Sequence, residues 1–263
     1  MKKGFQVALN KVNICNVWIH NISMDETLLR VEELIQIKKP SYVVTPTVDH
    51  VIKLQKDLEF REVYENAALV LPDGMPLLWA GYFLGTPLKE RVCGSDLLPS
   101  FCKIAADRGY RIFFLGGEEG VAHNAEQVLK AQYPFIKIVG TYSPPFGFDK
   151  EEDKNRQIVE MIRAAKPDIL FVGLGAPKQE KWIYKFKDSL QVPVSIGAGI
   201  SFDFIAGNLK RAPKWIRNIG LEWFWRLAQE PKRLWKRYLV DDPVFFWLVL
   251  KQKLGCNLKP RSV

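Results

Sequence analysis

Between residues 111 and 196 short apolar runs alternate with longer amphipathic segments, and that order admits few folds. Residues 111–115, 136–140, 169–172 and 194–196 read as strands. Residues 118–132, 151–165 and 178–187 lie between them and read as helices. Strands alternating with helices of this length predict an α/β chain with a mostly parallel, doubly wound sheet flanked by helices. Right-handed crossovers would gather the loops that follow the strands along one edge, where ligands bind in such sheets. The earlier part of the chain is compatible. Residues 12–14 and 17–19 form a hairpin about Cys15-Asn16, and Ser23 with Asp25 and Glu26 starts a helix striped by Leu28, Leu29, Val31, Leu34 and Ile35. Residues 41–45 and 68–71 are further strands, and 76–84 and 96–108 further helices. No internal repeat or low-complexity linker interrupts the chain.

The charge is unevenly placed. The 263 residues carry a net charge of +9. Residues 1–208 hold 25 basic and 25 acidic side chains, and residues 209–263 hold 13 basic against 4 acidic, so the whole excess lies in the last stretch. This divides the chain into an α/β body over 1–208 and a basic, aromatic helical appendage over 209–263. Such a tail seeks an acidic partner: nucleic acid, anionic lipid or a polyphosphate. Five of the eight tryptophans fall within residues 215–247. Taken as a helix, residues 231–240 place Lys232, Arg233, Lys236 and Arg237 on one arc and Leu234, Trp235, Tyr238 and Leu239 on the opposite one. That is the pattern of an interfacial helix on an anionic membrane surface. The rival reading is a helix packed on the body with a solvated basic face. No stretch approaches the roughly 20 apolar residues that span a bilayer. The N-terminus lacks the apolar core of a signal peptide. The four cysteines form no C-x-x-C pair and no His lies at metal-ligand spacing from them, which predicts a reducing, cytoplasmic chain and no metal site.

Four strand-to-loop junctions carry residues suited to chemistry. Thr45-Pro46-Thr47 offers hydroxyls at a helix start, for a phosphate or sugar or simply as a cap. Asp73, in Leu71-Pro72-Asp73-Gly74, is held on a rigid turn and is either a general base or a turn-stabilising acid. Gly116-Gly117 lets backbone approach a phosphate, or packs closely. Gly173-Leu174-Gly175-Ala176-Pro177-Lys178-Gln179 opens the backbone, with Lys178 and Gln179 in reach of a phosphate or base. Just beyond it, Asp203 in the 199–203 segment can accept from a ribose or base edge, or start a helix. There is no G-x-S-x-G, H-E-x-x-H, P-loop or convincing D-x-D. The physical reading reaches a nucleotide-like ligand at one sheet edge. A nicotinamide oxidoreductase is disfavoured by the missing G-x-G-x-x-G after an early strand. A non-enzymatic nucleotide or nucleic-acid binder using the basic tail remains the alternative, although segregated aromatics favour lipid over a phosphate groove.

Taken in order, these segments resemble the WecG/TagA/CpsF glycosyltransferase family. The match runs through Thr45-Pro46, Leu71-Pro72-Asp73-Gly74, Glu90-Arg91-Val92-Cys93-Gly94-Ser95-Asp96, Gly116-Gly117 and Gly173-Leu174-Gly175. It continues with Gln179-Glu180, Gly199-Ile200-Ser201-Phe202-Asp203, Arg211-Ala212-Pro213, Leu221-Glu222-Trp223 and Glu230-Pro231-Lys232-Arg233. The resemblance implies a Rossmann-like body and an inverting, metal-independent transfer of a sugar, N-acetylmannosamine-like or a related hexose. The donor would be a UDP-sugar and no cofactor would be needed. The acceptor would be a polyprenyl-diphosphate-linked sugar at the inner face of the cell membrane, for teichoic acid or another surface polysaccharide. Nucleic acid would not be a partner, and a homo-oligomer is left open. Residue by residue, it implies Asp73 as base, Thr45 beside it and Arg91 on the leaving diphosphate. Gln179 and Asp203 would lie on the nucleotide side, with Gly117 and Gly175 shaping the substrate loops. Arg226, Arg233 and Lys236 would close over the phosphates from the appendage. Thr47 stands where the family commonly has Asn, and one hydroxyl cannot copy both amide contacts.

Overall fold

The computed structural model describes residues 9–256. It opens with an antiparallel hairpin, β1 (Lys11–Ile14) and β2 (Val17–His20). Cys15 and Asn16 join them with φ of 51° and 62°. This left-handed pair matches the twist of the flanking strands. Helix α1 (Met24–Ile37) begins on a reciprocal cap: the Glu26 N–H donates to Ser23 Oγ (3.2 Å) and the Ser23 N–H to Glu26 Oε2 (2.7 Å). Two of the donors that a helix start leaves unpaired are thereby satisfied.

There follow β3 (Ser41–Val44), α2 (Val48–Leu54), α3 (Leu58–Glu65), β4 (Leu69–Val70), α4 (Met75–Leu84) and α5 (Gly94–Arg108). Next come β5 (Arg111–Gly116), α6 (Val121–Gln132), β6 (Lys137–Tyr142), α7 (Glu152–Ala165), β7 (Ile169–Gly173), α8 (Lys178–Leu190), β8 (Val194–Gly197) and α9 (Ser201–Ala206). Strands β3 to β8 form one sheet in the order β4-β3-β8-β7-β5-β6, and every pairing is parallel. The expected parallel α/β sheet is therefore present. Several bounds shift by a few residues, and two differences from the reading of the sequence are larger. Helix α6 begins at Val121 rather than 118, because Gly117 and Gly120, with φ of 76° and 81°, hold the chain outside helical geometry. Helix α3 was not anticipated; its short turn of apolar residues, Phe60, Val63 and Tyr64, is buried.

Both faces of the sheet are covered. Tyr42, Val44, Phe113, Leu115, Leu170 and Val172 enter one core cluster, while Val43, Ile112, Phe114, Ile169, Phe171 and Ile196 enter the other. Successive side chains of a strand point to opposite faces, so strands buried on both sides must be apolar throughout. That is why β7, Ile-Leu-Phe-Val-Gly, is buried at all five positions.

Beyond α9 come α10 (Lys214–Asn218), α11 (Glu222–Gln229), α12 (Pro231–Lys236), a π-helical turn (Arg237–Asp241) and α13 (Pro243–Lys253). Helix α13 returns to the body against α2 and α4, burying Phe245 and Val249. Gln252 stitches it to the hairpin: its Oε1 accepts from the Cys15 N–H (2.6 Å) and its Nε2 donates to the Asn13 carbonyl (2.9 Å). The last helix of the 209–263 segment thus shares the core of the body. The two arcs expected of residues 231–240 are also modified. Leu234 is buried and Tyr238 packs edge-on to Trp223 (6.0 Å between centroids), leaving Trp235 and Leu239 as the exposed apolar members. Arg237 leaves the basic arc and turns inward, because the chain widens into the π turn there and partners on the body hold the guanidinium. Among the described residues no helix is long and apolar enough to cross a membrane.

Candidate active site

The carboxyl ends of the parallel strands open into a cleft of about 1530 Å³, closed on the other side by α10 to α13. Asp73 sits at its floor, just after β4. Its loop is clamped by three backbone bonds: Leu71 N–H to the Val44 carbonyl, Asp73 N–H to the Pro46 carbonyl and Val92 N–H to the Pro72 carbonyl, all 2.9–3.0 Å. Gly74, with φ of 119°, lets the chain turn directly into α4. Burial pushes the Asp73 carboxyl up to about 6; Arg91 opposes that rise and Glu222 adds to it. A carboxylate poised near the working pH is well matched to accepting a proton.

Arg91 faces this carboxylate and is held from two sides. It donates to Glu222 Oε2 of α11 (2.7 Å) and to Asp96 Oδ2 of α5 (3.1 Å). Asp96 also accepts from Arg211 (2.5 and 2.9 Å) and Arg217 (3.1 Å), and the Cys93 thiol donates to it at 2.9 Å. Burial disfavours its charge, but hydrogen bonds from Arg211 and Cys93 outweigh that and bring its carboxyl down to about 2. One carboxylate thereby gathers three guanidinium groups, two of them from the segment beyond residue 208. Thr45, at the end of β3, is nearly buried and lines the cleft beside Gly94.

The glycine-rich loops after β5, β7 and β8 pack on one another. A Cβ on Gly116 would lie 2.3 Å from the Gly173 carbonyl oxygen, and one on Gly173 2.8 Å from that of Gly199. Of the alternatives posed by the sequence, close packing is seen directly. Gly116 and Gly173 are held in close packing, and Gly117, Gly173 and Gly175 line the cleft. The Gly117 N–H is already donated to the Gly173 carbonyl (2.8 Å), so this glycine offers room rather than a donor. Gln179 is buried; its Oε1 accepts from the Gly199 N–H (3.1 Å) and its Nε2 donates to Glu180 Oε1 (2.7 Å). It ties two loops together and reaches the cleft with the remainder of its amide. Asp203 lines the same end, its carboxyl raised by burial and by Glu118 against the pull of Asn208.

At the other end, Thr47 precedes α2 and makes a polar knot. His50 Nδ1 accepts from the Thr47 N–H (2.9 Å) and lies 2.7 Å from the Thr47 hydroxyl, and its Nε2 stands 3.6 Å from the buried Glu180 Oε1. The Thr47 hydroxyl accepts from Arg237 (3.1 Å). The single hydroxyl standing in place of the family Asn is therefore occupied by a cation of the C-terminal segment.

Arg226 and Arg233 both line the cleft from the appendage side. Arg226 Nε is buried without a hydrogen-bond partner among the described residues, whereas Arg233 is exposed and paired with Glu230 (2.8 Å). Lys236 is exposed and does not line the cleft. Sequence reasoning missed Glu222, Arg211, Arg217, Arg237, His50 and Glu180. Glu222, Arg211 and Glu180 lie within motif segments carrying the family resemblance, so a signal existed for their presence but not for their pairing. Among the described residues no three His, Cys, Asp or Glu side chains converge to hold a metal ion.

Comparison with known proteins places the chain in a family. The profile described as Glycosyl transferase WecG/TagA/CpsF family matches residues 12–258. The N-acetylglucosaminyldiphosphoundecaprenol N-acetyl-beta-D-mannosaminyltransferase of Bacillus subtilis (strain 168) is 35% identical over 198 residues, 75% of this chain and 74% of its own. Its counterpart of the same name in Staphylococcus aureus (strain MW2) is 29% identical over 245 residues, 92% of this chain and 93% of its own. With a family profile spanning nearly all of its length and relatives aligned across both the sheet and the C-terminal helices, the chain belongs to the WecG/TagA/CpsF family of glycosyltransferases.

Proposed function

We propose that the protein transfers N-acetylmannosamine, with inversion, from a UDP-sugar to an N-acetylglucosamine carried on a polyprenyl diphosphate, for a cell-surface polymer. The relatives' names support this sugar and this acceptor. The observation that carries the chemistry is Asp73, rigidly held in the cleft opposite Arg91 with its carboxyl raised to about 6. The acceptor hydroxyl oxygen attacks the anomeric carbon and its proton passes to the Asp73 carboxylate. The bond from the anomeric carbon to the diphosphate oxygen breaks, and its electron pair leaves with UDP. Negative charge grows on that oxygen, where a preorganised cation lowers the barrier. Arg91 is suited to that place, with Arg226 and Arg233 above it. In this reading these guanidinium groups replace a divalent cation, and transfer survives chelation. Gly117, Gly175, Gln179 and Asp203 hold the nucleotide, and Thr45 steadies the base.

The reading places the enzyme at the cytoplasmic membrane face. Trp215, Phe224, Trp235, Phe246 and Trp247 are all more than half exposed, on the same C-terminal segment as the exposed Lys232 and Lys236. Aromatics with adjacent cations suit an anionic bilayer surface. The test is a donor screen with the purified full chain and a short-chain prenyl-diphosphate N-acetylglucosamine acceptor, with and without EDTA. A β-linked disaccharide made from UDP-N-acetylmannosamine and undiminished by EDTA is expected. Turnover of a different donor would overturn the sugar assignment, and loss with EDTA the metal independence.

A further inference from the structure

Resting on the functional reading above, we infer that Arg237, Asp49 and Asp242, together with Thr47, form the subsite that takes the acceptor's N-acetylated sugar ring. Three observations converge on this corner of the cleft. The first is position. The Asp73 N–H is bonded to the Pro46 carbonyl, so Thr47, one residue on, lies beside the base. Thr47 and Asp49 follow β3, next to β4 in the sheet, whereas Gly175 and Gly117 follow β7 and β5 farther across it. A nucleotide held by the glycine loops leaves the β3–β4 corner open to the second substrate.

The second is a set of groups built but not fully used. Arg237 Nη2 donates to the Thr47 hydroxyl (3.1 Å) and stands 4.0 Å from Asp49 Oδ2, which also receives Lys53 Nζ at 2.8 Å. Arg237 Nε and Asp242 Oδ1 are buried with no hydrogen-bond partner among the described residues. Leaving such groups unmade is costly, so a ligand that donates and accepts at once is strongly favoured there. The π turn that brings Arg237, Asp241 and Asp242 to this wall is a rare geometry that helices frequently adopt at functional sites.

The third is charge. Asp49, Asp241 and Asp242 outnumber Lys53 and Arg237 in this corner, a balance that disfavours a diphosphate, while hydroxyls and an acetamido group can bond to carboxylates and guanidinium alike. The ring of Tyr238, 5.5 Å beneath the Arg237 guanidinium, adds an aromatic floor. Next to it, Met75, Trp79 and Phe246 line an apolar side of the cleft, with Trp79 and Phe246 exposed, a path along which the prenyl chain leaves.

The test is steady-state kinetics of full-length Asp242→Asn, Asp49→Asn and Arg237→Lys with UDP-N-acetylmannosamine and the short-chain prenyl-diphosphate N-acetylglucosamine. The acceptor KM should rise about tenfold in each, and the donor KM and UDP affinity should stay within about twofold. Asp242→Asn exchanges one oxygen for an amide and decides the matter if the others fold poorly, as judged by circular dichroism. An unchanged acceptor KM with an active wild type would overturn the subsite alone, as would a rise in donor KM instead. A wild type that transfers nothing to this acceptor would overturn the functional reading and the subsite with it.

Discussion

Strands β5 and β7 are closed to solvent along almost their whole length, whereas α10 and α11 contain no fully buried residue. Both regions supply the same cleft. The sheet edge is positioned by apolar burial and by backbone bonds, so Asp73 and the glycine loops are set by the fold itself. The covering helices are positioned largely through ion pairs: Glu222 on Arg91, and Arg211 and Arg217 on Asp96. Apolar burial is not screened by salt, while partly exposed charges are. The contrast sets an Asp73 held rigidly by the fold against a cover held by charge, and under the function proposed above such a cover could engage and release a lipid-linked substrate.

The comparison can be broken most sharply at the rigid half. Asp73→Asn removes the base and nearly keeps its shape; kcat should fall by about 10²–10⁴-fold, with the circular dichroism unchanged. An effect under threefold would remove Asp73 from the role. The same residue sets a pH dependence. Asp73 must be deprotonated to accept a proton, and burial holds its carboxyl at about 6. The rate should therefore be level above about pH 6 and fall as pH drops below it. That inflection should vanish in Asp73→Asn and persist in Asp242→Asn, whose carboxyl is also raised by burial to about 6.

At the junction, Asp96→Ala leaves three guanidinium groups short of a partner. Breaking a buried pair costs about 3–5 kcal/mol, and the 29% exposure of Asp96 places this one near the lower end. Chemical denaturation should read that loss; a change under about 1 kcal/mol would mean that the ion pairs do not hold the cover. Glu222→Gln tests the single link between α11 and Arg91. A charge-assisted bond is worth about 1.5–3 kcal/mol, so a tenfold fall in kcat is expected, greater at low salt than at high. The smallest effect belongs to the outer face. Each of Lys232 and Lys236 contributes about 1 kcal/mol near an anionic leaflet, so Lys232→Gln should weaken co-sedimentation with phosphatidylglycerol vesicles about fivefold. Unaltered vesicle binding would return that face to solvent.

Some of this was legible in the chain. The sheet was readable because strands buried on both faces must be largely apolar, as β7 is throughout, β5 is beyond Arg111 and β8 is apart from Ser195. Asp73 was readable because a proline and a glycine on either side of an acid announce a rigid turn. The division of the glycines was not, since Gly116 and Gly117 look alike until the Gly173 carbonyl is placed against one of them. Nor was the pairing of Arg91 with Glu222, 131 residues away.

By itself, the sequence determined the alternation that makes a parallel sheet, the edge where its loops collect, and the excess of charge beyond residue 208. These follow from local periodicity and composition, which each segment carries alone. Only the tertiary structure decided which of those charges face outward and which serve the cleft. Helical periodicity placed Arg237 on the basic outer arc with Lys236, but the π turn and the Thr47 hydroxyl draw it inward. Periodicity records which residues share a face of a regular helix, whereas the partner that face meets is fixed by contacts from distant parts of the chain.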